Sequence, residues 1–558
     1  MSSTINRRRF GRHIAAAAAT AATLPAWALA QDRSQFANET DRALAPVIAA
    51  RERDWRIGAI SYQVMVDRFV PSRHLEAKRA LYPAPKRLRD WSETPTSGPY
   101  VESQGVWQHE IDFWGGDLDS LMTRLDYVQG LGAEVLYLNP IHLAYTNHKY
   151  DALDYEAVSP EFGTRADVKK LADELHRRGM RLVLDGVFNH MGRHSPRFQA
   201  AEADYQERVR HLQAQGLSSE AAQAADPKDW FNFGPQFPGG ARAWWGSQNL
   251  PELNLENPEV RRHVYGDRNS VVRRYLREEG IDGWRLDVAF DIGFAFLREL
   301  TEAAHAEKPG SLVVGEIANY PAEWTPSVDG VLGFTLRGLM LKLASGQLDA
   351  RRGQALLARL VQDCGVENLM RSWIYLDNHD TERLATALPD PAQRRLAQLL
   401  QFSLPGAPNL YYGSELGMSG GNDPEMRAPM RWDWVSDSNA ALNATRRLIE
   451  LRRQHRALRL GNFRPIESEQ LLAFERYTER AGDSVVAVFN LSDTVRQETL
   501  LVPDSKLMDG TRLVDLLGGP DQTLHSAWLS LSVPPRSAMF LSPDLSPRQG
   551  YSNYKRVL

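Results

Sequence analysis

The sequence predicts a (β/α)8 barrel with a subdomain inserted after the third strand and an antiparallel β domain at the carboxyl end. Three observations predict this fold. Eight short apolar runs alternate with helical patterns, acidic and amide side chains follow several of these runs, and the pattern changes to alternating strands after about residue 440. In a parallel barrel the chemistry collects at the carboxyl ends of the strands.

The eight predicted strands and the helical patterns between them define the barrel. The apolar runs lie at 57–66, 133–139, 181–187, 281–288, 311–317, 328–334, 372–378 and 408–413. Helical spacing of apolar residues is found at 117–132, 165–179, 259–280 and 392–403. A lead-in at 31–56 precedes the barrel, which we assign to 57–187 and 258–438.

Two further units interrupt and follow the barrel. Residues 188–257 are too many for a simple connection between a strand and a helix, so they predict an inserted subdomain. Its Trp244 and Trp245 are expected to pack in this subdomain rather than bind ligand. A helix at 440–455 and strand patterns beyond it predict an antiparallel β domain over 439–558.

The amino terminus has the pattern of an export signal. Residues 6–12 read NRRRFGR, and an Ala-rich run then ends in an A-x-A sequence at 28–30. We predict that 1–30 form a twin-arginine-like signal peptide, with a plain secretory signal as the alternative. The protein is then exported, in the first instance to the periplasm and otherwise to the medium. No later run approaches the ~18 apolar residues of a membrane span, so we expect no membrane anchor.

Composition is that of a globular protein with balanced charge. The 558 residues include 66 Lys and Arg against 70 Asp and Glu, and 43% are hydrophobic. This balance excludes a disordered chain and gives no support to a nucleic-acid partner, which a basic excess would indicate. The single cysteine, Cys364, excludes an intramolecular disulfide and is expected to be a small buried side chain.

Carboxylates at strand ends carry the chemistry that the sequence predicts. Arg285 and Asp287 lie two apart on a predicted strand, so both side chains face the same side, and the cation should keep the carboxylate ionised. Such a carboxylate suits a glycosidase nucleophile. Glu316 ends the next strand, and crowding by other carboxylates should raise its pKa for proton donation. Asp380 ends a strand two units further round the barrel, where it can stabilise an oxocarbenium-like transition state.

Eight segments resemble the signature regions of the α-amylase superfamily, glycoside hydrolase family 13. They are GGDLDSL (115–121), YLNPIHLAYTNHKYDALDY (137–155), DGVFNH (185–190), LPELN (250–254), GWRLDVA (283–289), VVGEI (313–317), YLDNHD (375–380) and GGNDPEMR (420–427). The chain looks most like cyclomaltodextrinases, neopullulanases and maltodextrin-degrading α-amylases.

The resemblance implies a retaining double displacement and assigns roles to individual residues. Asp287 would be the nucleophile, Glu316 the general acid and base, and Asp380 the carboxylate that binds the distorted sugar. The residues that would bind or orient the substrate are His148, Tyr150, His190, Arg285, His379, Asp423 and Arg427. Asp185 would support the site, and Asn189 matches a calcium ligand of many α-amylases. The reaction needs no cofactor, so any calcium would be structural.

The implied substrate is an α-1,4-glucan, a maltooligosaccharide or a cyclodextrin. An α-glucosyltransferase or isomerase, or an exo-acting α-glucosidase, on the same site are the alternatives. A carbohydrate-binding barrel without activity is a further class, against which the three intact carboxylates argue. Phe290 and Asp291 depart from the family pattern at a position that shapes the acceptor side, which leaves acceptor preference open. The sequence also leaves the oligomeric state open.

Overall fold

The computed structural model describes residues 37–554 together with residues 556 and 557. The predicted signal peptide at 1–30 lies outside the described residues. Among the helices of the described residues, none combines the length and the hydrophobicity of a membrane span.

A closed barrel of eight parallel strands forms the centre of the molecule and confirms the predicted fold class. In chain order its strands are β1 (Ser61–Val64), β2 (Val135–Leu138), β3 (Arg181–Gly186), β4 (Gly283–Leu286), β5 (Leu312–Ile317), β6 (Gly330–Gly333), β7 (Trp373–Ile374) and β8 (Ala407–Tyr411). Strand β1 pairs with both β2 and β8, which closes the barrel. Buried side chains such as Tyr137, Val183, Val314 and Trp373 pack together in one cluster.

Helices surround the barrel because each has one apolar face to cover the outer side of the strands. They are Leu118–Met122, Leu125–Leu131, Arg165–Arg177, Phe294–Glu307, Phe334–Ala344, Ala350–Cys364, Val366–Arg371 and Pro391–Ser403. The predicted helix at 259–280 is instead a series of short α and π turns: Pro258–Arg261, Arg262–Gly266, Val271–Arg274 and Tyr275–Glu279. It is interrupted where Asp267 takes an extended conformation.

Long connections follow β1 and β3 at the carboxyl side of the barrel. After β1 the chain forms a helix (Leu75–Lys78), pairs Arg87–Leu88 with Asp112–Phe113, and makes a hairpin of Tyr100–Val101 and Val106–Trp107. After β3 it forms the helices Pro196–Ala214 and Ser219–Ala222 and then mostly irregular backbone. Phe198, Phe231 and Phe233 of this second connection belong to the main hydrophobic core.

The carboxyl-terminal residues form antiparallel sheets. After the helices Ala440–Gln454 and Arg456–Leu460 come β9 (Asn462–Pro465), β10 (Leu472–Tyr477), β11 (Val485–Asn490), β12 (Arg496–Leu501), β13 (Arg512–Asp515), β14 (Gln522–Thr523), β15 (Trp528–Val533) and β16 (Ser537–Pro543). Six strands form one sheet in the order β9-β10-β11-β16-β13-β14, and β12 pairs with β15. The lead-in helix Glu39–Arg53 contacts this unit through Lys506, which donates to Asp41 at 3.0 Å.

Candidate active site

A cavity of about 440 Å³ opens at the carboxyl ends of the barrel strands. Asp287 at the end of β4, Glu316 on β5 and Asp380 after β7 all line it. Three carboxylates that are far apart in the sequence therefore share one cavity. The remaining side chains of its wall are Glu110, His148, Tyr150, His190, Trp244, Trp245, Ser247, Leu250, Val288, Phe290, Ala318, Phe334, Asp423 and Arg427.

Arg285 joins the carboxylates at the bottom of the cavity. Its Nη1 lies 2.9 Å from Asp185 Oδ1 and 2.9 Å from Asp287 Oδ1, and its Nη2 lies 2.9 Å from Glu316 Oε1. The register of the strands explains this arrangement, because Arg285 on β4 pairs with Asp185 on β3 and with Val314 on β5. One buried guanidinium thus hydrogen-bonds Asp287 through Nη1 and lies within ion-pair distance of Glu316 through Nη2.

The backbone at the end of β4 is strained. Val288, which follows Asp287, has a φ of 46°, in the left-handed region that a β-branched residue rarely adopts. Its N–H donates to Glu316 Oε2 at 2.9 Å. The unusual conformation therefore contributes a second fixed contact to Glu316, and such strain is often found at functional sites.

Burial, together with neighbouring carboxylates, raises the pKa of both Asp287 and Glu316; the carboxylate that acts on Glu316 is Asp380. Burial is the largest cause of the raised pKa of Asp287, with Glu316 adding to it and Arg285 opposing it. Burial also raises the pKa of Glu316, against the opposing effect of Arg285. The raised pKa of Glu316 agrees with the sequence-based expectation. For Asp287 the cation lowers the pKa, as expected, but desolvation outweighs this effect and the net shift is upward.

Asp380 is held differently, between His379 and Arg427. Its Oδ2 lies 3.0 Å from His379 Nε2, its Oδ1 lies 3.3 Å from Arg427 Nη2, and its side chain is 37% exposed. Burial would raise its pKa, but His379 and Arg427 together lower it below the ordinary value. The Gln63 amide donates to His379 Nδ1 at 2.8 Å, which leaves the proton of a neutral ring on Nε2, facing Asp380. Asp380 is therefore the carboxylate of the three that stays ionised most readily.

A hydrogen-bond network supports the wall formed by Tyr150. The Tyr150 hydroxyl donates to Asp185 Oδ2 at 2.8 Å and accepts from Asn139 Nδ2 at 3.0 Å. Its ring lies parallel to that of His379, with centroids 5.3 Å apart. Asp185 also accepts from Tyr137 at 2.6 Å, so this carboxylate is fully engaged with protein groups. These contacts agree with a supporting role for Asp185.

The two remaining histidines of the site have different partners. His148 Nε2 lies 3.3 Å from Glu110 Oε1. His190 Nε2 lies 4.0 Å from Asp287 Oδ2 and has no hydrogen-bond partner among the described residues. Burial lowers the pKa of His190 to about 3, so its imidazole is neutral. A buried polar nitrogen beside Asp287 is suited to a substrate hydroxyl.

The origin of the lining residues divides the mouth of the cavity into two arcs. Going round the barrel, the loops after β7, β8, β1 and β2 supply the charged and polar side chains Asp380, Asp423, Arg427, Glu110 and His148. The loops after β3, β4 and β6 supply the aromatic side chains Trp244, Trp245, Phe290 and Phe334. We call these the charged arc and the aromatic arc. Asp423 belongs to the first, where its Oδ1 lies 3.1 Å from Arg427 Nη1.

The expectation that Trp244 and Trp245 only pack in the inserted segment was wrong. Both line the cavity, and the Trp245 side chain is the most exposed large hydrophobic group in the described chain, at 83%. Trp245 has a φ of 48° and precedes Gly246 with a φ of 76°. The loop is nevertheless fixed by backbone hydrogen bonds, including Trp244 N–H to Leu250 O at 3.0 Å. It presents an indole to the cavity instead of burying it.

Asn189, the residue that matches a calcium ligand, has protein groups as neighbours. Its side-chain Nδ2 lies 3.4 Å from His190 Nδ1, and its backbone carbonyl oxygen accepts from Leu253 N–H. Calcium takes ~6–8 oxygen ligands, usually several carboxylates among them. Across residues 37–554, 556 and 557, no group of three or more His, Cys, Asp or Glu side chains could hold a metal ion.

Two further acids that follow barrel strands do not belong to the site. Asp67 pairs with Arg68 at 2.7 Å, and Asp377 accepts from Leu384 N–H, so both have structural partners.

The motifs identified most of the residues that line the cavity but missed part of the charged arc. Glu110 was missed because it lies in the long connection after β1, outside every motif. Gln63, buried on β1, carried a signal: a polar residue within an apolar strand run.

Comparisons with known proteins agree with this geometry. Residues 63–470 match the family model described as "Alpha amylase, catalytic domain". Neopullulanase 2 of Thermoactinomyces vulgaris is 31% identical over 500 residues, which cover 88% of this chain and 78% of that protein. A cyclomaltodextrinase of Geobacillus thermopakistaniensis is 32% identical over 492 residues, covering 86% and 76%. The cyclic α-maltosyl-(1→6)-maltose hydrolase of Arthrobacter globiformis has a structure with a TM-score of 0.69 at 29% identity, covering 88% of this chain and 99% of that chain.

Proposed function

The chain belongs to the α-amylase family and is an O-glycosyl hydrolase, and on this premise we propose that it cleaves α-1,4-linked glucans by a retaining double displacement. Maltooligosaccharides and cyclodextrins are the proposed substrates. The names of its relatives support this class, since they include cyclomaltodextrinase and neopullulanase.

One observation carries the mechanism: the guanidinium of Arg285 contacts Asp287 and Glu316 at the same time, at 2.9 Å each. Two carboxyl groups held by one planar cation must face the same small volume. A retaining glycosidase needs its nucleophile and its acid ~5–5.5 Å apart, on either side of the bond to be broken. The arrangement supports a covalent intermediate.

In the first half of the reaction Asp287 attacks the anomeric carbon. The bond from that carbon to the leaving oxygen breaks, and Glu316 gives its proton to the oxygen. The product is a β-glucosyl ester of Asp287 and a shortened glucan. Asp380, kept ionised by His379 and Arg427, stabilises the positive charge that develops on the sugar.

In the second half Glu316, now ionised, takes a proton from water. The water oxygen attacks the anomeric carbon from the side that the leaving group has left, and the ester bond to Asp287 breaks. Two inversions give net retention, so the released sugar has the α configuration. Asp287 and Glu316 return to their starting protonation states.

Product analysis tests the proposal directly. Soluble starch, cyclodextrin, pullulan and maltose are offered in parallel, and products are followed by reducing-sugar assay and chromatography. The anomeric configuration of the first product is read by NMR before mutarotation. We expect α products from the linear or cyclic α-1,4 substrates. A first product of β configuration would contradict the double displacement.

A transferase activity on the same site is a second candidate, and the aromatic arc favours it. Trp244, Trp245 and Phe290 offer apolar faces on which an acceptor sugar can stack beside the ester. An acceptor hydroxyl would then compete with water. An exo-acting α-glucosidase remains the other alternative, and release of glucose alone from maltoheptaose would identify it.

The proposed reaction uses side chains of this chain alone and requires no metal. The surroundings of Asn189 do not offer the carboxylates that a calcium site normally has. We expect dialysis against EDTA to leave activity unchanged at moderate temperature. A loss of activity that added calcium restores would contradict this part of the proposal.

Export is proposed from the sequence at 1–30. One similar protein, from Bacillus subtilis, is named an intracellular maltogenic amylase. The location of the present protein therefore has to be determined by experiment. Cell fractionation and amino-terminal sequencing of the mature protein test it. We expect Gln31 as the first residue, and replacement of Arg7 and Arg8 by Lys should retain the precursor inside the cell.

A further inference from the structure

An aromatic pair on the hairpin after β1 has no role in the mechanism described above. Tyr100 and Trp107 are paired residues of the hairpin, and their rings meet edge to face with centroids 5.3 Å apart. Their side chains are 41% and 50% exposed. Val101 and Val106, the alternating residues, point the other way into a small apolar cluster. The hairpin therefore has an anchored inner face and an outer face of two exposed aromatic rings.

This outer face continues the charged arc of the cavity. The Trp107 ring lies nearly parallel to that of His109, with centroids 6.3 Å apart. His109 Nε2 in turn lies 3.8 Å from Asp423 Oδ2 in the cavity wall. Glu110 accepts from Trp107 N–H through one carboxylate oxygen and lies beside His148 through the other. A line of side chains thus runs from the cavity wall to the exposed rings.

The hairpin is held in place at both ends. The Asn147 amide donates to His109 O at 2.7 Å, which ties the hairpin to the connection after β2. His194, from the connection after β3, lies 2.9 Å from Gln104 O at the hairpin turn. The rings are therefore presented by a fixed support, which favours binding because little order has to be created.

We propose that Tyr100 and Trp107 form a remote subsite that stacks on an α-glucan chain extending out of the cavity past Asp423. Exposed aromatic faces that continue a cavity wall are suited to the apolar faces of sugar rings. This inference rests on the proposed function, because it takes the same class of substrate. It adds that the enzyme prefers longer chains over those that end within the cavity.

Chain-length dependence tests the subsite. We compare kcat and KM for maltotriose and maltoheptaose in the wild type and in Trp107→Ala, Tyr100→Ala and the double variant. We expect KM for maltoheptaose to rise about 5- to 10-fold in Trp107→Ala, the size of one lost stacking contact, with kcat unchanged. Values for maltotriose should stay the same. Trp107→Phe should restore most of the affinity, and Trp528→Ala, an exposed Trp on β15, is the matched control.

Two results would overturn the subsite: maltoheptaose kinetics that do not change, or that improve because the hairpin had obstructed the chain. A binding measurement separates this failure from failure of the proposed function. Maltoheptaose is titrated by calorimetry into Asp287→Asn, with and without Trp107→Ala. Weaker binding with Trp107→Ala supports the subsite even if the wild type cleaves no glucan, and equal binding contradicts it.

Discussion

Arg285 is the residue on which the charges of the site depend. It is fully buried and contacts three carboxylates, yet the pKa of Asp287 and that of Glu316 both remain raised because burial outweighs its effect. Two buried acids of this kind titrate as a pair, and the pair keeps one proton up to a higher pH than isolated acids do. The proposed mechanism needs that proton on Glu316 and the charge on Asp287, next to Arg285 Nη1.

Replacement of the nucleophile should abolish turnover. Asp287→Asn keeps the shape of the side chain but removes the charge that attacks the anomeric carbon. We expect less than 1% of wild-type kcat/KM, a loss of more than about 2.7 kcal/mol in barrier. Asp437→Asn, at a fully exposed position that does not line the cavity, is the matched control and should remain active. Retention of more than about 1% activity by Asp287→Asn would contradict the assignment.

The dependence of kcat/KM on pH should be bell-shaped, with both the acid limb and the basic limb shifted towards higher pH. Glu316 must be protonated, so activity falls as the pH rises through its raised pKa. Asp287 must be ionised, so activity falls as the pH drops through its own raised pKa. Asp380, with a lowered pKa, should not limit the acid side. The measurement is kcat/KM against pH from 3 to 10.

A matched substrate assigns the basic limb. With α-maltosyl fluoride, whose leaving group needs no proton, Glu316→Gln should form the ester without a basic limb. If the basic limb persists in this variant, another group is the acid. A basic limb below the ordinary pKa of a glutamic acid would contradict the raised pKa.

At the scale of elements, the connections between strands and helices supply most of the side chains that line the cavity. The loop that carries Trp244 and Trp245 is fixed by backbone hydrogen bonds and presents an indole to the cavity mouth. A left-handed tryptophan is disfavoured by about 1–2 kcal/mol, and that conformation persists here because neighbouring contacts fix it. Its position on the aromatic arc is the reason why we propose a role for this loop in acceptor binding.

Trp245→Ala should change the balance between transfer and hydrolysis. Loss of the indole removes a face for an acceptor sugar but leaves water free to enter. At high maltotriose concentration we expect the share of products longer than the substrate to fall several-fold, with hydrolysis reduced less. Product chromatography over time measures this ratio. Trp434→Ala, another exposed tryptophan away from the cavity, serves as control, and an unchanged ratio in Trp245→Ala would contradict the acceptor role.

The strands and the loops differ in how far the sequence predicts them. The apolar runs predicted all eight barrel strands, because a strand leaves a local pattern in the sequence. The motifs predicted the three carboxylates that line the cavity, because each carboxylate lies in a short characteristic segment. The hairpin with Tyr100 and Trp107 was not predicted, since two-residue strands produce no periodicity. The position of Trp245 on the cavity wall was not predicted either, because a buried and an exposed tryptophan look the same in a sequence. The net pKa of Asp287 depends on burial in the folded molecule.

At the scale of the whole molecule, buried arginines join the barrel to the antiparallel sheets. Arg476 on β10 donates to Ser403 O at 2.6 Å and to Gly461 O at 2.8 Å, and Arg452 donates to Phe402 O at 2.7 Å. Ser403 and Phe402 end the helix Pro391–Ser403, whose last carbonyls lack partners within the helix. The cations therefore complete the hydrogen bonding of a barrel helix from outside the barrel.

Arg476→Met should destabilise the whole protein. The substitution keeps the apolar stem but leaves buried carbonyl oxygens without donors, at a cost of about 1–3 kcal/mol. We expect a lower urea midpoint, with activity and β-sheet signal lost in the same transition. Arg480→Met, at an exposed position close by, should have little effect. Separate transitions for barrel and sheets, or an unchanged midpoint, would contradict coupling through Arg476.

The single thiol at the end of the helix Ala350–Cys364 can report local unfolding of the protein through its reaction with a labelling reagent. Cys364 is buried, and burial raises the pKa of its thiol to about 11. While the helix stays packed, a thiol reagent cannot reach the sulfur, and the sulfur is not in the reactive thiolate form. With no second sulfhydryl in the chain, every labelling event counts one opening of this segment. Labelling rates measured with and without glucan would therefore report how strongly a ligand in the cavity stabilises this segment against opening.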